Sequence, residues 1–238
     1  MFKHDWPVPK NVKIAFTDRH GGISKAPYDS LNLGMHVGDV EADVLANRAS
    51  LKQQLTLSAE PFWLEQVHGI DVVDLVNIQE NRADGGYSNQ LGKVCVVMTA
   101  DCLPVLLCNK AGTEVAALHA GWRGLCNGVI EAGVAKFQAS AEQLIAYLGP
   151  AIGSQAFEVG EEVRVAFIEH NPKAANYFKS SGEKYLADIY GLATQRLNQL
   201  GISEVYSTNE CTVSNSNYFS YRRDNQTGRQ ASLIWLVE

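Results

Sequence analysis

Residues Val94 to Gly124 read VCVVMTADCLPVLLCNKAGTEVAALHAGWRG, and the rest of the chain is best read outward from them. Val94 to Thr99, Val105 to Leu107 and Val115 to His119 are short apolar or β-branched runs separated by turn residues, which predicts three sheet strands. The reactive side chains fall where these strands end or meet loops. Asp101 and Cys102 stand in Thr99-Ala100-Asp101-Cys102, and His119 opens His119-Ala120-Gly121-Trp122-Arg123-Gly124.

Towards the N-terminus, Val12 to Thr17 is expected to form a first strand. His20 to Asp39, dense in Gly, Pro, Asn and Asp, is expected to be a long irregular loop. Asp39 is placed to cap a helix reaching about Leu57, with Val44, Leu45, Leu51 and Leu55 at helical spacing and Arg48 beside that stripe. Phe62 to His68 and Asp71 to Val76 read as further strands. Beyond the central stretch, helices are expected over Leu125 to Phe137, Glu161 to His170 and Tyr185 to Leu200, the last stopped by Gly201. Ile145 to Leu148, Glu204 to Tyr206 and Ser232 to Val237 add strands. Strands early and late with helices between them favour a mixed α+β fold over regular βαβ alternation. No repeat, low-complexity tract or linker divides the chain, so residues 1–238 are read as one domain.

The 238 residues, 46% of them hydrophobic, are enough to bury a substantial core. A net charge of -6 without a Lys/Arg block gives no electrostatic footprint for nucleic acid or anionic lipid. No apolar run approaches the ~18–20 residues of a membrane span. Met1 to Lys10 carries Lys3, His4, Asp5 and two prolines where a secretory signal needs an apolar core. The five cysteines are odd in number and lie mostly in apolar segments, which points to a reducing, cytoplasmic setting.

Two chemistries fit Cys102 and His119: a thiolate nucleophile with its base, or a pair of metal ligands. Gln66-Val67-His68-Gly69 adds a second histidine. Two imidazoles and one thiolate make the open three-ligand set of catalytic zinc, with a fourth position left for water or substrate. That count favours a metal, although ligands drawn from three separated segments have no diagnostic spacing, and a lone histidine is more often structural. Gly121 and Gly124 permit close backbone approach, and a helix starting near Leu125 would aim free amides beside Arg123. A tight strand-to-helix turn with Trp122 as core filler fits the same residues. Phe219 to Arg229 holds three arginines and two aromatic rings, suited to phosphate and a stacked base, or to a solvated loop. The other four cysteines read as buried fillers.

The words Gln66-Val67-His68-Gly69, Thr99-Ala100-Asp101-Cys102, His119-Ala120-Gly121-Trp122-Arg123-Gly124 and Ser220-Tyr221-Arg222-Arg223-Asp224, ending in Thr227-Gly228-Arg229, resemble the signature of the YfiH (FAMIN) family, long described as polyphenol oxidases or laccases. Asn32-Leu33-Gly34, His36-Val37-Gly38-Asp39, Arg48, Arg82-Ala83-Asp84-Gly85, Gly149-Pro150 and Glu158-Val159 extend the likeness over nearly the whole chain. Family members often continue Arg82-Ala83-Asp84-Gly85 into a short apolar-Thr segment. Here Gly86-Tyr87-Ser88-Asn89-Gln90 follows, which places the loop around Asp84 in question.

The resemblance implies a four-layer α/β/β/α sandwich like that of cysteine-hydrolase toxins, and zinc on His68, Cys102 and His119. It also implies phosphorolysis of adenosine, inosine, guanosine or S-methyl-5'-thioadenosine, with deamination of adenosine. Arg48, Arg123 and Arg222 are the expected phosphate and substrate donors; Cys102, His119 and Asp101 are the expected catalytic groups, with Asp101 a carrier of protons. Small nucleosides and phosphate are then the expected partners, with no nucleic acid or membrane, in a monomer or weak homodimer. The alternatives are a metal-free Cys/His hydrolase editing peptidoglycan precursors, for which His68 has no evident use, and a copper polyphenol oxidase, for which six histidines are few.

Overall fold

The computed structural model describes residues 1–78 and 80–238, and its strands fall into three sheets. The first comprises β1 (Val12–Phe16), β4 (Val94–Thr99) and β12 (Gln230–Leu236), in the antiparallel order β1-β12-β4. The second comprises β2 (Val72–Asp74), β3 (Gly85–Ser88), β5 (Leu103–Asn109), β6 (Val115–Ala120), β7 (Leu144–Leu148) and β11 (Glu204–Ser207). Its order is β11-β7-β5-β6-β3-β2, with parallel pairs only at its two ends. A small antiparallel sheet, β8-β10-β9, is made of Glu158–Val159, Lys184–Ala187 and Phe178–Ser181. The helices are α1 (Glu41–Gln54), α2 (Trp122–Asn127), α3 (Val129–Val134), α4 (Glu161–His170), α5 (Ile189–Gln199) and α6 (Tyr221–Asp224). This is the mixed α+β architecture expected from the sequence.

Three apolar clusters assemble these elements. Successive strand residues point to opposite faces, so Leu103, Val105 and Leu107 of β5 join residues of α2 to α5, while Leu106 and Cys108 face the first sheet. Cys95 and Val97 of β4 meet them there; Val94, Val96 and Met98 turn the other way and pack with Leu51 of α1, Leu31 and Leu33. Every residue of β4 to β7 and of β12 is buried. Strands covered on both faces lose the apolar-polar alternation and read as continuous apolar runs.

Consecutive strands β4 and β5 belong to different sheets, so the chain crosses between them at Ala100-Asp101-Cys102. Asp101 makes the turn with φ +95°. Three registers then bring distant segments to this crossing. Gly85 pairs with Leu118, which sets Asp84 beside His119; Pro104 pairs with His119; Gln230 pairs with Thr99, which sets Arg229 opposite Ala100.

Several local expectations are corrected. Asp39 does not cap α1: its carboxylate accepts from the Val40 amide and the Asn32 side chain, and Val40 is the residue that precedes the helix. Phe62 to His68 forms only isolated bridges at Phe62 and Glu65, because the Gln66 side chain occupies both the amide and the carbonyl of Met98 at 2.8 Å each. The helix expected over Leu125 to Phe137 starts earlier, at Trp122, and breaks into α2 and α3 at Gly128, φ +107°. Tyr185 to Ala187 is strand rather than helix; Asp188, accepting from the Gly191 amide at 2.9 Å, starts α5. Gly86 to Ser88, where the sequence departs from the family's apolar-Thr segment, is part of β3.

Leu106 is wholly buried between the two larger sheets. Leu106→Ala is expected to remove about 2–5 kcal/mol of stability, measured from the urea midpoint at constant m-value. An unchanged midpoint would contradict this packing.

A candidate metal centre and its pocket

His68, Cys102 and His119 converge from a loop, the sheet crossing and the end of β6, with their ligand atoms all within 4.8 Å of one another. Cys102 Sγ lies 3.8 Å from His68 Nε2, and the two imidazole rings meet edge to face at 4.8 Å between centroids. Two nitrogens and one sulfur in this arrangement fit a metal ion with an open coordination side.

Asp84 holds the set in place. It is wholly buried, and its carboxylate accepts from the amides of Val67 (3.2 Å), His68 (2.9 Å) and Gly69 (2.7 Å) and from His119 Nδ1 (2.7 Å). The same residue's carbonyl accepts from the His119 amide at 2.7 Å. Three successive amides turned onto one carboxylate force His68 into the left-handed region, φ +61°. With Nδ1 committed to Asp84, His119 presents Nε2 to the metal position, the carboxylate–histidine arrangement that fixes ring orientation in metal sites.

Two glycines of the His119 to Gly124 word are required by space. A Cβ on Gly121 would stand 2.8 Å from His68 Cδ2 and 3.1 Å from Cys102 Sγ; one on Gly124 would stand 2.7 Å from the Gly69 carbonyl. Gly121 therefore leaves room for the ligands, and Gly124 lets α2 press against the loop carrying His68.

Burial pushes the Cys102 thiol up, but the His119 charge and hydrogen bonds to both histidines outweigh it and lower its pKa to about 6. Burial pushes His119 down, but Cys102 and Asp84 raise it to about 9. For Asp84, burial acts upward and is outweighed by His119 and the Gly69 and Val67 amides, which hold the carboxyl below its usual range.

A cavity of about 410 Å³ opens over this set, within the roughly 300–1,000 Å³ of small-molecule sites. Trp122, Phe157, Ile152 and Ile189 supply apolar wall; Arg123, Arg222 and Arg229 supply cationic groups, and His36, whose pKa burial and the nearby Arg229 and Arg48 charges lower, adds an imidazole. Arg123 is exposed, lies over the Trp122 ring at 4.5 Å and forms no ion pair among the described residues. Arg222 donates to the carbonyls of Ala156 and Glu158 at 3.1 Å each.

Of the residues singled out from the sequence, His68, Cys102, His119, Asp101, Arg123 and Arg222 all line this cavity, and Arg48 stands behind it. Arg48 grips the Leu33 carbonyl (3.0 and 2.7 Å) and lies over Trp63 at 4.0 Å. Burial lowers its pKa to about 10, so it remains a cation. Asp101 has both oxygens in use, accepting from Thr212 Oγ1 and from the Arg222 amide at 2.6 Å each. Arg223 of the same C-terminal word turns away and clamps the carbonyls of Thr212 and Tyr218. Asp84 and His36 entered the sequence reading only as parts of family words, with no role of their own; Arg229 entered as one of the three arginines of Phe219 to Arg229, suited to phosphate or to a solvated loop. Their signal is register and hydrogen bonding, which one sequence does not display.

The class this defines is an α+β protein with a His-Cys-His set that could hold a metal ion at the base of a pocket. The chain belongs to the family described as multi-copper polyphenol oxidoreductase laccase, whose family model matches residues 13–237. It is 55% identical to a protein of Escherichia coli (strain K12) named purine nucleoside phosphorylase YfiH, covering 98% of this chain and 97% of that one. It is 50% identical to a Haemophilus influenzae protein named purine nucleoside phosphorylase, covering 97% of each. The crystal structure of Neisseria meningitidis protein NMB0706 is 47% identical, with a TM-score of 0.93 over 98% of both chains.

Asp84→Ala should weaken metal binding by about 10- to 100-fold, read by competition with a chromophoric chelator. Wild-type affinity in that variant would remove Asp84 from the centre. In metal-free protein the Cys102–His119 pair gives a second test. Cys102 is depressed, so its stabilising effect is lost as pH falls through about 6, and His119 is raised, so its effect is lost as pH rises through about 9. Alkylation of Cys102, followed by peptide mass mapping, should therefore rise with a midpoint near pH 6, and His119→Ala should move that midpoint upward. A midpoint at the ordinary thiol value of about 8.5 in wild type would refute the ion pair.

Proposed function

We propose that this protein is a zinc-dependent purine nucleoside phosphorylase acting on adenosine, inosine, guanosine and S-methyl-5'-thioadenosine, with adenosine deaminase activity at the same site. The observation that carries this reading is the 55% identity, over 98% of the chain, to a protein named purine nucleoside phosphorylase. The pocket supports it with apolar and aromatic wall for a purine, cationic groups for phosphate, and a metal-binding set.

In phosphorolysis a phosphate oxygen bonds to ribose C1′, the C1′–N9 bond breaks, and the purine leaves with the bonding electrons and takes up a proton. In deamination water adds at C6 and ammonia departs. His68, Cys102 and His119 hold the zinc, which when bound supplies Lewis acidity at the open side of the set. Trp122 and Phe157 offer ring faces to the base. Asp101, with both oxygens engaged, serves to hold the Arg222 segment over the pocket. Arg48 acts from behind by fixing the Leu33 loop.

The three clusters between and outside the two larger sheets support the four-layer α/β/β/α description. Among the described residues no helix is long and apolar enough to cross a membrane. Five unpaired cysteines favour a cytoplasmic protein, which we take to act on small molecules as a single domain, monomeric or weakly dimeric.

A second reading rests on one observation: Asp84, His119 and Cys102 stand in the order orienter, base and nucleophile, as in a thiol hydrolase acting on peptidoglycan precursors. His68, 3.8 Å from the sulfur, separates the two, because the hydrolase does not require it.

Purified protein incubated with adenosine, with and without phosphate, should give adenine only with phosphate and inosine in its absence, as resolved by chromatography. Zinc analysis should return one ion per chain, lost in both His68→Ala and Cys102→Ala together with activity. Absence of both products after zinc loading would overturn the nucleoside reading, and stoichiometric copper would overturn the metal assignment. Full activity in His68→Ala would favour the hydrolase.

A further inference from the structure

The pocket has two cationic walls of different construction. On one, Arg123 is exposed over Trp122 and the Arg222 guanidinium is spent on two carbonyls. The other is built from segments nearly two hundred residues apart. Asn32, wholly buried, accepts through Oδ1 from the amides of Gly34 and Arg229 at 2.9 Å each, and donates through Nδ2 to the Gly34 carbonyl (3.2 Å) and Asp39 (2.9 Å). The Leu33 amide donates to the Arg229 carbonyl at 3.1 Å. A Cβ on Gly34 would stand 2.8 Å from Arg229 Cγ, so the arginine stem lies directly on the loop that carries His36.

This buried staple presents two groups to the cavity, Arg229 and His36. Arg229 spends Nη1 on the carbonyls of Thr227 and Gly228, while its Nη2 and Nε make no hydrogen bond among the described residues. His36 is exposed and likewise without a hydrogen bond among them. Thr99 is 2% exposed, and its buried hydroxyl has no partner among the described residues. Thr99 shares its sheet face with its partner Gln230, opposite to Arg229, so this hydroxyl lies outside the wall. A guanidinium with free donors and an imidazole, next to the sulfur and imidazoles of the metal set, offer an anion more than either residue does alone. A half-buried guanidinium also acts on an anion through a lower dielectric than Arg123 at the exposed rim.

We propose that His36 and Arg229 form the subsite that binds the phosphate nucleophile, and that Asn32 is the positioning residue that holds this wall together. The assignment rests on the phosphorylase reading for the use of the anion, but the anion site itself is testable without turnover. Its chemistry is that of a compact oxyanion with several acceptor oxygens: the guanidinium supplies charge and donors, and the imidazole adds a further N–H donor. Arg48, expected from the sequence to touch phosphate, supports the subsite from outside by fixing the Leu33 carbonyl.

The test uses full-length zinc-loaded protein and inorganic phosphate, with binding measured by calorimetry and steady-state phosphorolysis of adenosine measured alongside. His36→Gln and Arg229→Gln should each raise the phosphate Kd and KM by about 10-fold or more, the loss of a hydrogen bond to a charged group. Zinc content and adenosine affinity should stay near wild type. Should Arg229→Gln fail to fold, His36→Gln decides alone, since its side chain holds no structural bond among the described residues. The subsite is overturned if both variants keep wild-type phosphate Kd and KM, if wild type binds no phosphate and forms no adenine, or if Arg123→Gln alone abolishes phosphate binding. Phosphorolysis with unchanged phosphate KM in both variants would sink the subsite while the phosphorylase reading stood. Phosphate binding lost in both variants, with adenosine never cleaved by wild type, would uphold the subsite and sink the phosphorylase reading.

Discussion

A single buried carboxylate organises the functional end of this molecule. Asp84 is wholly removed from solvent, a position that costs several kcal/mol for an isolated charge and is tolerated only with full hydrogen bonding. Four donors meet it: three consecutive amides of the Val67-His68-Gly69 turn and the His119 ring. Because the same carboxylate serves both histidines, one through its backbone and the other through its imidazole, neither can move without unmaking a buried bond of the other. The left-handed His68, unfavourable for a residue with a Cβ, is held by this same arrangement. Strain of that kind, together with the positive φ of Asp101, gathers where a site must be held in one geometry.

The sheets deliver the remaining parts. The crossing at Ala100-Asp101-Cys102 leaves a thiol at the junction of two sheets, where β5 and β6 of one and β4 and β12 of the other all end or begin. Strand registers are discrete, and a one-residue slip would turn each side chain to the opposite face. Burial on both faces therefore fixes the ligands as firmly as it fixes the core. The glycines at 121 and 124 show the same constraint from the opposite direction: the centre is so closely drawn that a methyl group would strike a ligand or a backbone oxygen.

The sequence carried the chemistry better than the architecture. His68, Cys102 and His119 were legible because strand ends and glycine-flanked words mark them, and β4 and α4 fall where periodicity places them. Sheet membership was not legible, since β4 and β5 read alike although they belong to different sheets. Tyr185 to Ala187 carried a helical pattern and became strand because pairing with β8 and β9 outweighed local preference, as tertiary context often does. Phe62 to His68 had strand composition, but Gln66 satisfies Met98 with its side chain and leaves little for a ladder. The importance of Asp84, Asn32 and Arg229 lies in bonds spanning 35 and 197 residues, and separations of that length leave no periodic trace.

The donor set also bears on the copper in the family's description. Two histidines and a cysteine are shared by zinc sites and by blue copper, and what separates them is the fourth direction: a weak axial methionine in the electron-transfer site, an open position in the catalytic zinc site. Met98 is the methionine that lines this pocket, and its sulfur accepts from Arg48 Nη2 at 3.8 Å. A thioether so engaged beside a cation is a poor axial donor. Of the six histidines, His4 stacks on Trp6, His20 meets Asn217 and His170 lines a separate small cavity, leaving His36, His68 and His119 at the pocket. Three histidines do not furnish the further copper centres that reduction of dioxygen by a multicopper oxidase requires. The pocket over the set is lined instead by arginines and by His36, which makes no hydrogen bond among the described residues, surroundings suited to a polar molecule.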